Sequence, residues 1–543
     1  MKYFIVFLML FSCSAAVYSQ YGNSEAEARV PVTFPSKGTF EGDYTSAIFM
    51  NKNLSVNTAP QNEPSIRISR VNPNYVVAAW RDFRLGYIEP AIVRRIGYTY
   101  STDGGSTWAP SQLLPDPNPD HTSQSDPVIT TDSQGSFYIS STSRKPVTGY
   151  NRDMLLYKST NNGQTFFLHS IAVPGSGGAG EDKEWIFCDP VMTNTTYDNI
   201  FISWTSFGPQ PGIKFRKSTN GGLNWSSTVN IGDNTSGQGS NICSGTGNQI
   251  YVVWDAGGIR FDKSTNGGTS FGSDYQLSNV STTNGFPFIC CDYSNNSTRG
   301  NVYVIWDDMR GGNSDVWFQR STNGGANWLA SPVRVNDVTT NNQYWPVIQC
   351  DNNGILYAMY YDTRAGASMV NTYVAYSTDA GTTWSNQLMS DSSFTATPVG
   401  GTSGDVRYGD YIQIDAYNGK VIPVWTDDRK GTPNQEIYRA NLSGLLPVNP
   451  LSTEVPRSFA LYQNYPNPFN PVTRINFDIP VSSFVSLKLF DILGREVKIL
   501  VAQNLNAGKF YTEVDGSALS GGVYFYKLEA GNFTESKKLV LIK

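Results

Sequence analysis

The sequence predicts an all-β protein: a β-propeller of four-stranded blades, seven favoured over six, followed by a small Ig-like β-sandwich. Three observations carry that prediction. An eight-residue signature, Ser-Thr-Asp/Asn-x-Gly-x-x-Trp/Phe, begins at Ser101, Ser159, Ser218, Ser264, Ser321 and Ser377, at spacings of roughly 46 to 59 residues, the period of propeller arrays. Around each signature the chain alternates short apolar runs with Gly and Asn turns, as all-β proteins do. Beyond a Pro-rich linker the composition changes, and the tail has strand alternation of its own.

At the N-terminus, Lys2, the apolar run Tyr3 to Phe11 and the small residues that follow read as a secretory signal peptide over residues 1–19, cut near Ser19-Gln20. A lipoprotein reading on Leu10-Phe11-Ser12-Cys13 is the alternative. No other apolar stretch is long enough to span a bilayer, so the mature chain is expected to lack a transmembrane segment. The expected organisation is an N-terminal extension over 20–52, the propeller over 53–445, a linker over 446–458 and the tail module over 459–543.

Within the propeller, inner strands are expected at Pro64–Ser69, Pro127–Thr131, Pro190–Asn194, Asn241–Ser244, Pro287–Cys291, Pro346–Cys350 and Tyr411–Asp415. Second strands follow, typified by Tyr75–Trp80, Ile200–Trp204, Val302–Trp306 and Val421–Trp425. A third strand leads into each signature and a short fourth leaves it. The seventh unit ends before a fourth strand is made. Asn53-Leu54-Ser55-Val56-Asn57 matches the fourth-strand segments elsewhere, so an N-terminal strand is expected to close the ring and remove the exposed edge.

The signature is a turn with an anchor. Its Asp or Asn can fold back onto backbone N–H groups, its glycine supplies positive φ, and its aromatic is large enough to bury against a sheet. The pattern resembles the Asp box, or BNR repeat, of sialidase-like propellers, where it lies between the third and fourth strands on the face away from substrate. By that resemblance the boxes are structural.

The tail begins after Leu446-Pro447-Val448-Asn449-Pro450. It combines Asn464-Tyr465-Pro466-Asn467-Pro468-Phe469-Asn470-Pro471, the turn Asp491-Ile492-Leu493-Gly494-Arg495-Glu496, the strand Gly522 to Lys527, and the basic-apolar end Lys537 to Lys543. This combination resembles the type A C-terminal sorting domain of the type IX secretion system. The resemblance implies recognition by the outer-membrane translocon, then release or attachment at the cell surface. An ordinary Ig-like sandwich that binds a ligand is the alternative.

Composition narrows the chemistry. A net charge of −5 with no basic block argues against nucleic acid as a partner. Only two histidines are present, His121 and His169, so a zinc site or a Ser-His-Asp triad has little to draw on, and neither metal nor cofactor is expected. Once Cys13 leaves with the signal peptide, five cysteines remain, an odd number that reads as small buried hydrophobes rather than a disulfide framework.

Four units carry Trp/Tyr-x-Asp-x-Arg at the end of the second strand: Trp80, Asp82, Arg84; Trp306, Asp308, Arg310; Tyr360, Asp362, Arg364; Trp425, Asp427, Arg429. That end of a blade is opposite the boxes, and in the sialidase-like family it is where ligands bind. Arginines there could fork onto a carboxylate. Residues repeated around a ring more often staple loops, because catalysis needs unlike groups converging on one point.

Residues that break the repeat on this face are Glu63, Asp126, Asp182-Lys183-Glu184-Trp185, Gln343-Tyr344-Trp345 and Arg407-Tyr408-Gly409-Asp410-Tyr411. Sialidase chemistry, carried over by resemblance, would use Asp410 or Asp126 as general acid and Tyr408 or Tyr411 as nucleophile assisted by Glu184. Arg67, Arg84, Arg310, Arg364, Arg429, Trp185 and Trp345 would bind the glycan or glycoprotein ligand. The sequence departs from the family in blade number. It departs again at the first inner strand, where Pro64-Ser65-Ile66-Arg67-Ile68 replaces the family's Tyr/Phe-Arg-Ile-Pro. The expectation is therefore a secreted, glycan-directed propeller related to exo-sialidases. A non-catalytic propeller that binds glycans or proteins at the cell surface is the alternative, with a matrix spacer as the third reading.

Overall fold

The computed structural model describes residues 49–543 except 87–92, 117–120, 122, 145–151, 176–179, 234–235, 284, 397–408, 432–433, 443–448, 453, 506 and 517–518. The signal peptide, the lipoprotein alternative at Cys13 and most of the N-terminal extension lie outside the described residues, as does Tyr408.

Seven four-stranded antiparallel sheets make the propeller. The first is built from Gln61–Ile68, Val76–Asp82, Arg95–Ser101 and Gln112–Leu113, and the next five follow the same meander. In the seventh blade, Gln413–Tyr417, Lys420–Asp427 and Glu436–Arg439 are completed by Lys52–Asn53 from the N-terminal side. Lys52 faces Arg439 and Asn53 faces Tyr438, and the Leu54 amide continues the ladder onto the Ile437 carbonyl at 2.7 Å. Ring closure by strand exchange, expected from the incomplete last repeat, is the observed arrangement, and it fixes the count at seven.

One inner strand differs from expectation. In the third blade it is Glu181–Cys188, not Pro190–Asn194. Pro190 opens a turn instead, and the buried Asp189 carboxylate holds it by accepting from Val191 N, Asn194 Nδ2 and Thr196 Oγ1. In the first, second, fourth and sixth blades the inner strands start three or four residues earlier than the apolar runs, because a bulge lets polar residues continue the ladder, as at Asn62/Ser65 and Ser125/Val128, whereas in the fifth and seventh they start one or two residues later, at Phe288 and Gln413.

The six signatures form uniform clips. In the first, Ser101 Oγ donates to Asp103 Oδ1 at 2.8 Å and accepts from Gly105 N at 2.8 Å, while Asp103 Oδ1 also accepts from Thr107 N at 2.8 Å. The other five repeat the serine–Asp/Asn–glycine bonds. The closing aromatics do more than pin their own hairpins, since each clip bears on the preceding blade. Phe166 meets Tyr98 edge-on at 5.0 Å, Phe271 meets Phe215 at 5.1 Å, Trp328 meets Phe261 at 4.9 Å and Trp384 meets Phe318 at 5.3 Å.

Register separates the two faces. Gln61, Asp82 and Arg95 align at one end of the first blade, while Ile68, Val76 and Ser101 align at the other. Clips therefore crown one face and the Trp-Asp-Arg triplets the opposite one.

The tail is a sandwich of two four-stranded sheets. One contains Val472–Ile479 and Gly508–Asp515, the other Ser483–Phe490, Gly522–Ala530 and Phe533–Leu541, with Ile475, Phe477, Leu487, Tyr526 and Leu528 buried between them. Asn449–Ser452, inside the expected linker, form a strand on Gly508–Asp515, so the sandwich begins earlier than the composition suggests. The Asn-Pro motif is tied into it: Asn464 N donates to the Tyr526 hydroxyl at 2.8 Å, and Phe469 is buried in the core.

Candidate functional site

At the face opposite the clips, inner-strand bulges force several side chains out of the regular pleat. Glu63, Asp126, Lys183 and Trp345 have φ of 54°, 57°, 52° and 54°, and Gly239 holds the equivalent place in the fourth blade at 70°. Left-handed backbone at non-glycine residues costs about 1–3 kcal/mol each and persists only where the surroundings enforce it. Repeated at one register in neighbouring blades, it re-aims side chains towards one another at the channel mouth.

Lys183 is the hub. Its ammonium lies 3.2 Å from Asp126 and 3.3 Å from Asp410, 4.1 Å above the Tyr411 ring and 5.0 Å from that of Phe286. Glu63 pairs with Arg81 at 3.2 Å, and Arg81 Nε donates to Asn62 at 2.7 Å. All of these side chains are buried or nearly so, and Glu184 beside them is 1% exposed. Neither Glu184 oxygen has a hydrogen-bond partner among the described residues. Burial, then the neighbouring Asp126 charge, push its carboxyl well above the ordinary range and so favour its protonated form.

Four of the five proposed catalytic residues, Asp126, Glu184, Asp410 and Tyr411, thus meet around Lys183. The fifth, Tyr408, lies outside the described residues. Tyr411 donates its hydroxyl to the Pro127 carbonyl at 3.4 Å, and burial followed by Glu63 and Asp126 raises its phenol far above the usual range. That environment keeps the oxygen protonated. The space Glu184 and Tyr411 share with Trp185 and Phe288 is about 10 Å³, close to the room one water needs.

The aromatic candidates are buried as well. Trp185 packs edge-on against Phe288 at 4.9 Å and Tyr411 at 6.0 Å, and Trp345 packs on Tyr344 and Tyr361. At 9% and 5% exposure, they are packed into the ring's interior rather than open on its face.

The rim arginines do not join them. Arg84 lies on Asp82 at 2.7 Å, Arg310 on Asp308 at 2.8 Å, Arg364 on Asp362 at 2.7 Å and Arg429 on Asp427 at 2.8 Å. The same carboxylates accept the indole N–H of Trp80, Trp306 and Trp425 at 2.8–2.9 Å. Tyr360 departs from the pattern and donates to Asn386. Second contacts tie each guanidinium to a neighbouring loop: Ser111, Ser278, Asp337 and Asp391 respectively. Arg67 sits deeper in the channel, with Nη1 3.4 Å from Asp415 and Nε donating to the Ile129 carbonyl at 3.3 Å.

Sequence reasoning missed Lys183 as the hub and Arg81 as the partner of Glu63. The one signal for the bulges was a proline at matching register after Glu63, Asp126, Phe286 and Trp345. The five remaining cysteines are unpaired and buried. Among the described residues, no group of three or more His, Cys, Asp or Glu side chains is arranged to hold a metal ion, and no helix is present to cross a membrane.

Residues 463–543 match the family model of the secretion system C-terminal sorting domain. The tail therefore marks the chain for type IX export across the outer membrane, to the secreted or cell-surface state. No curated protein matches the chain. Among solved structures, a protein of unknown function from Dyadobacter fermentans is 12% identical, covering 73% of this chain and 98% of its own, with a TM-score of 0.43. An α-L-arabinofuranosidase of Fusarium graminearum in complex with arabinobiose is 14% identical over 61% of this chain and 98% of its own, at a TM-score of 0.43. A sialidase of Streptococcus pneumoniae is 11% identical over 74% and 72%, at 0.38.

Proposed function

We propose that this protein is a binding propeller of the cell exterior: the type IX tail is its address, and the irregular face opposite the clips engages a glycan or glycoprotein without turning it over. One observation carries the reading. Each of the four rim arginines is held by its own aspartate, in four different blades, so they staple loops and, among the described residues, form no guanidinium cluster to grip an acidic sugar. The acidic cluster at the channel mouth points the same way, since Lys183 occupies the space between Asp126 and Asp410. What remains for recognition is the outer surface of the loops. The signal peptide and the domain limits expected from sequence belong to this proposal.

A glycosidase reading has one specific observation in its favour, the meeting of Asp126, Glu184, Asp410 and Tyr411 around Lys183, where burial favours the protonated form of Glu184. The two readings separate in one assay. The full-length secreted chain is incubated with fluorogenic α-sialoside, α-arabinofuranoside and β-glucuronide substrates, and its retention on immobilised glycoproteins is measured in parallel. Retention without turnover is the expected result. Release of fluorophore that is lost in Glu184→Gln would overturn the binding-only reading.

A further inference from the structure

A second opening lies at the other end of the channel, on the clip face. It is a cavity of about 360 Å³ lined by Arg67, Arg70, Tyr197, Gln349, Asp351 and Tyr417 among others. That volume falls at the lower end of the range for small-ligand sites, roughly 300–1,000 Å³, and suits one or two sugar rings. Val71 and Met192 at its edge are 58% and 78% exposed, so it opens to solvent.

Its polar groups are unevenly spent. Arg67 is 9% exposed, and its two contacts, at 3.3 and 3.4 Å, are long and engage only Nε and Nη1; Nη2 has no partner among the described residues. Gln349 donates Nε2 to the Cys350 carbonyl at 3.0 Å, and its Oε1 has no partner among the described residues. The Tyr197 hydroxyl makes no hydrogen bond among the described residues, although its amide is held by Asn194. Arg70, by contrast, is fixed on Asp415 at 2.7 Å and stacked over Tyr417 at 4.7 Å. A buried donor, a planar amide oxygen and a phenol left open beside aromatic walls form a set that hydrogen-bonds vicinal hydroxyls while a ring face supports the sugar.

Charge selects among sugars. Arg67 and Arg70 share the lining with Asp132, Asp189, Asp198 and Asp351, so it carries more negative than positive charge and disfavours an anion. We propose that the clip-side cavity is a second binding site, for a neutral saccharide with vicinal hydroxyls, formed by Arg67, Gln349 and Tyr197. This site is separate from the irregular face and does not depend on whether that face binds or catalyses.

The test uses the full-length chain and a fixed probe set: methyl glycosides of mannose, galactose, glucose and rhamnose, with N-acetylneuraminic and glucuronic acids as anionic comparators. Binding is read by saturation-transfer NMR and titration calorimetry. At least one neutral glycoside is expected to bind with a dissociation constant at or below about 1 mM, and neither acid to compete. Tyr197→Ala is expected to weaken binding about tenfold. Met192→Trp, at an exposed position that spares the fold, is expected to block the site. Absence of binding by all four neutral glycosides at about 20 mM overturns the proposal, as does preference for an acid. Binding untouched by Met192→Trp also overturns it, and places any sugar recognition on the opposite face instead.

Discussion

Lys183 shows how much one side chain can hold together. Its ammonium is the shared counter-charge of Asp126 and Asp410, both buried, so Lys183→Met takes from two neighbouring carboxylates the cation they share. A loss of about 3–5 kcal/mol is expected by chemical denaturation, and much of it should return in Lys183→Met combined with Asp126→Asn. A second residue-scale outcome concerns pH. Burial, helped by Asp274, lifts the Asp262 carboxyl from its ordinary 3.8 to about 6, and its Oδ2 has no partner among the described residues. The native state thus holds this proton more tightly than the unfolded chain. The resulting stabilisation is complete below the unfolded value and is lost as pH rises through the folded one. Asp262→Asn is expected to raise the melting temperature by a few degrees at about pH 7.5 and to change it little near about pH 4, measured by thermal scans at both. Composition gave no sign of either feature, because which carboxylate meets a cation is decided by strands far apart in sequence.

At the scale of the element, the clip was legible and its partner was not. The Ser-Thr-Asp/Asn-x-Gly spacing encodes the local bonds from Ser377 to Asp379 and Gly381, all within one hairpin. That Trp384 and Gly381 bear on Phe318 of the preceding blade follows from the stacking of successive twisted sheets, which local spacing does not record. A Cβ at Gly381 would stand 2.3 Å from the Phe318 ring, and the residue has φ of +83°. Gly381→Ala is therefore expected to cost about 2–4 kcal/mol, through backbone strain and overpacking together. Asp379→Ala, which removes only the turn bonds, is expected to cost about 1 kcal/mol. Urea midpoints of the two variants compare these directly. The inner strand of the third blade was misplaced for a related reason: Glu181–Cys188 is rich in charge, and its burial depends on neighbours on both sides.

For the whole molecule, closure is the decisive contact. Removing residues up to Val56 would strip the outer strand from the seventh blade and expose the edge of Glu436–Arg439. A lower melting temperature and concentration-dependent self-association are expected, read by thermal scan and light scattering. Removing 463–543 is expected to leave the propeller inside the outer membrane, and cell fractionation with an antibody to the propeller would show it.

The sequence by itself determined the ring, pointed to seven blades and to the strand that closes them, and gave the exported destination, because repeats, turn chemistry and the tail motif are local patterns written along the chain. It also singled out Asp126, Glu184, Asp410 and Tyr411, which the fold brings together around Lys183. Tertiary structure alone decided what they can do. Depth of burial, the approach of Lys183 and the pairing of each rim arginine with its aspartate arise from chain segments tens to hundreds of residues apart. The free energy of a charge depends on which of those segments surround it.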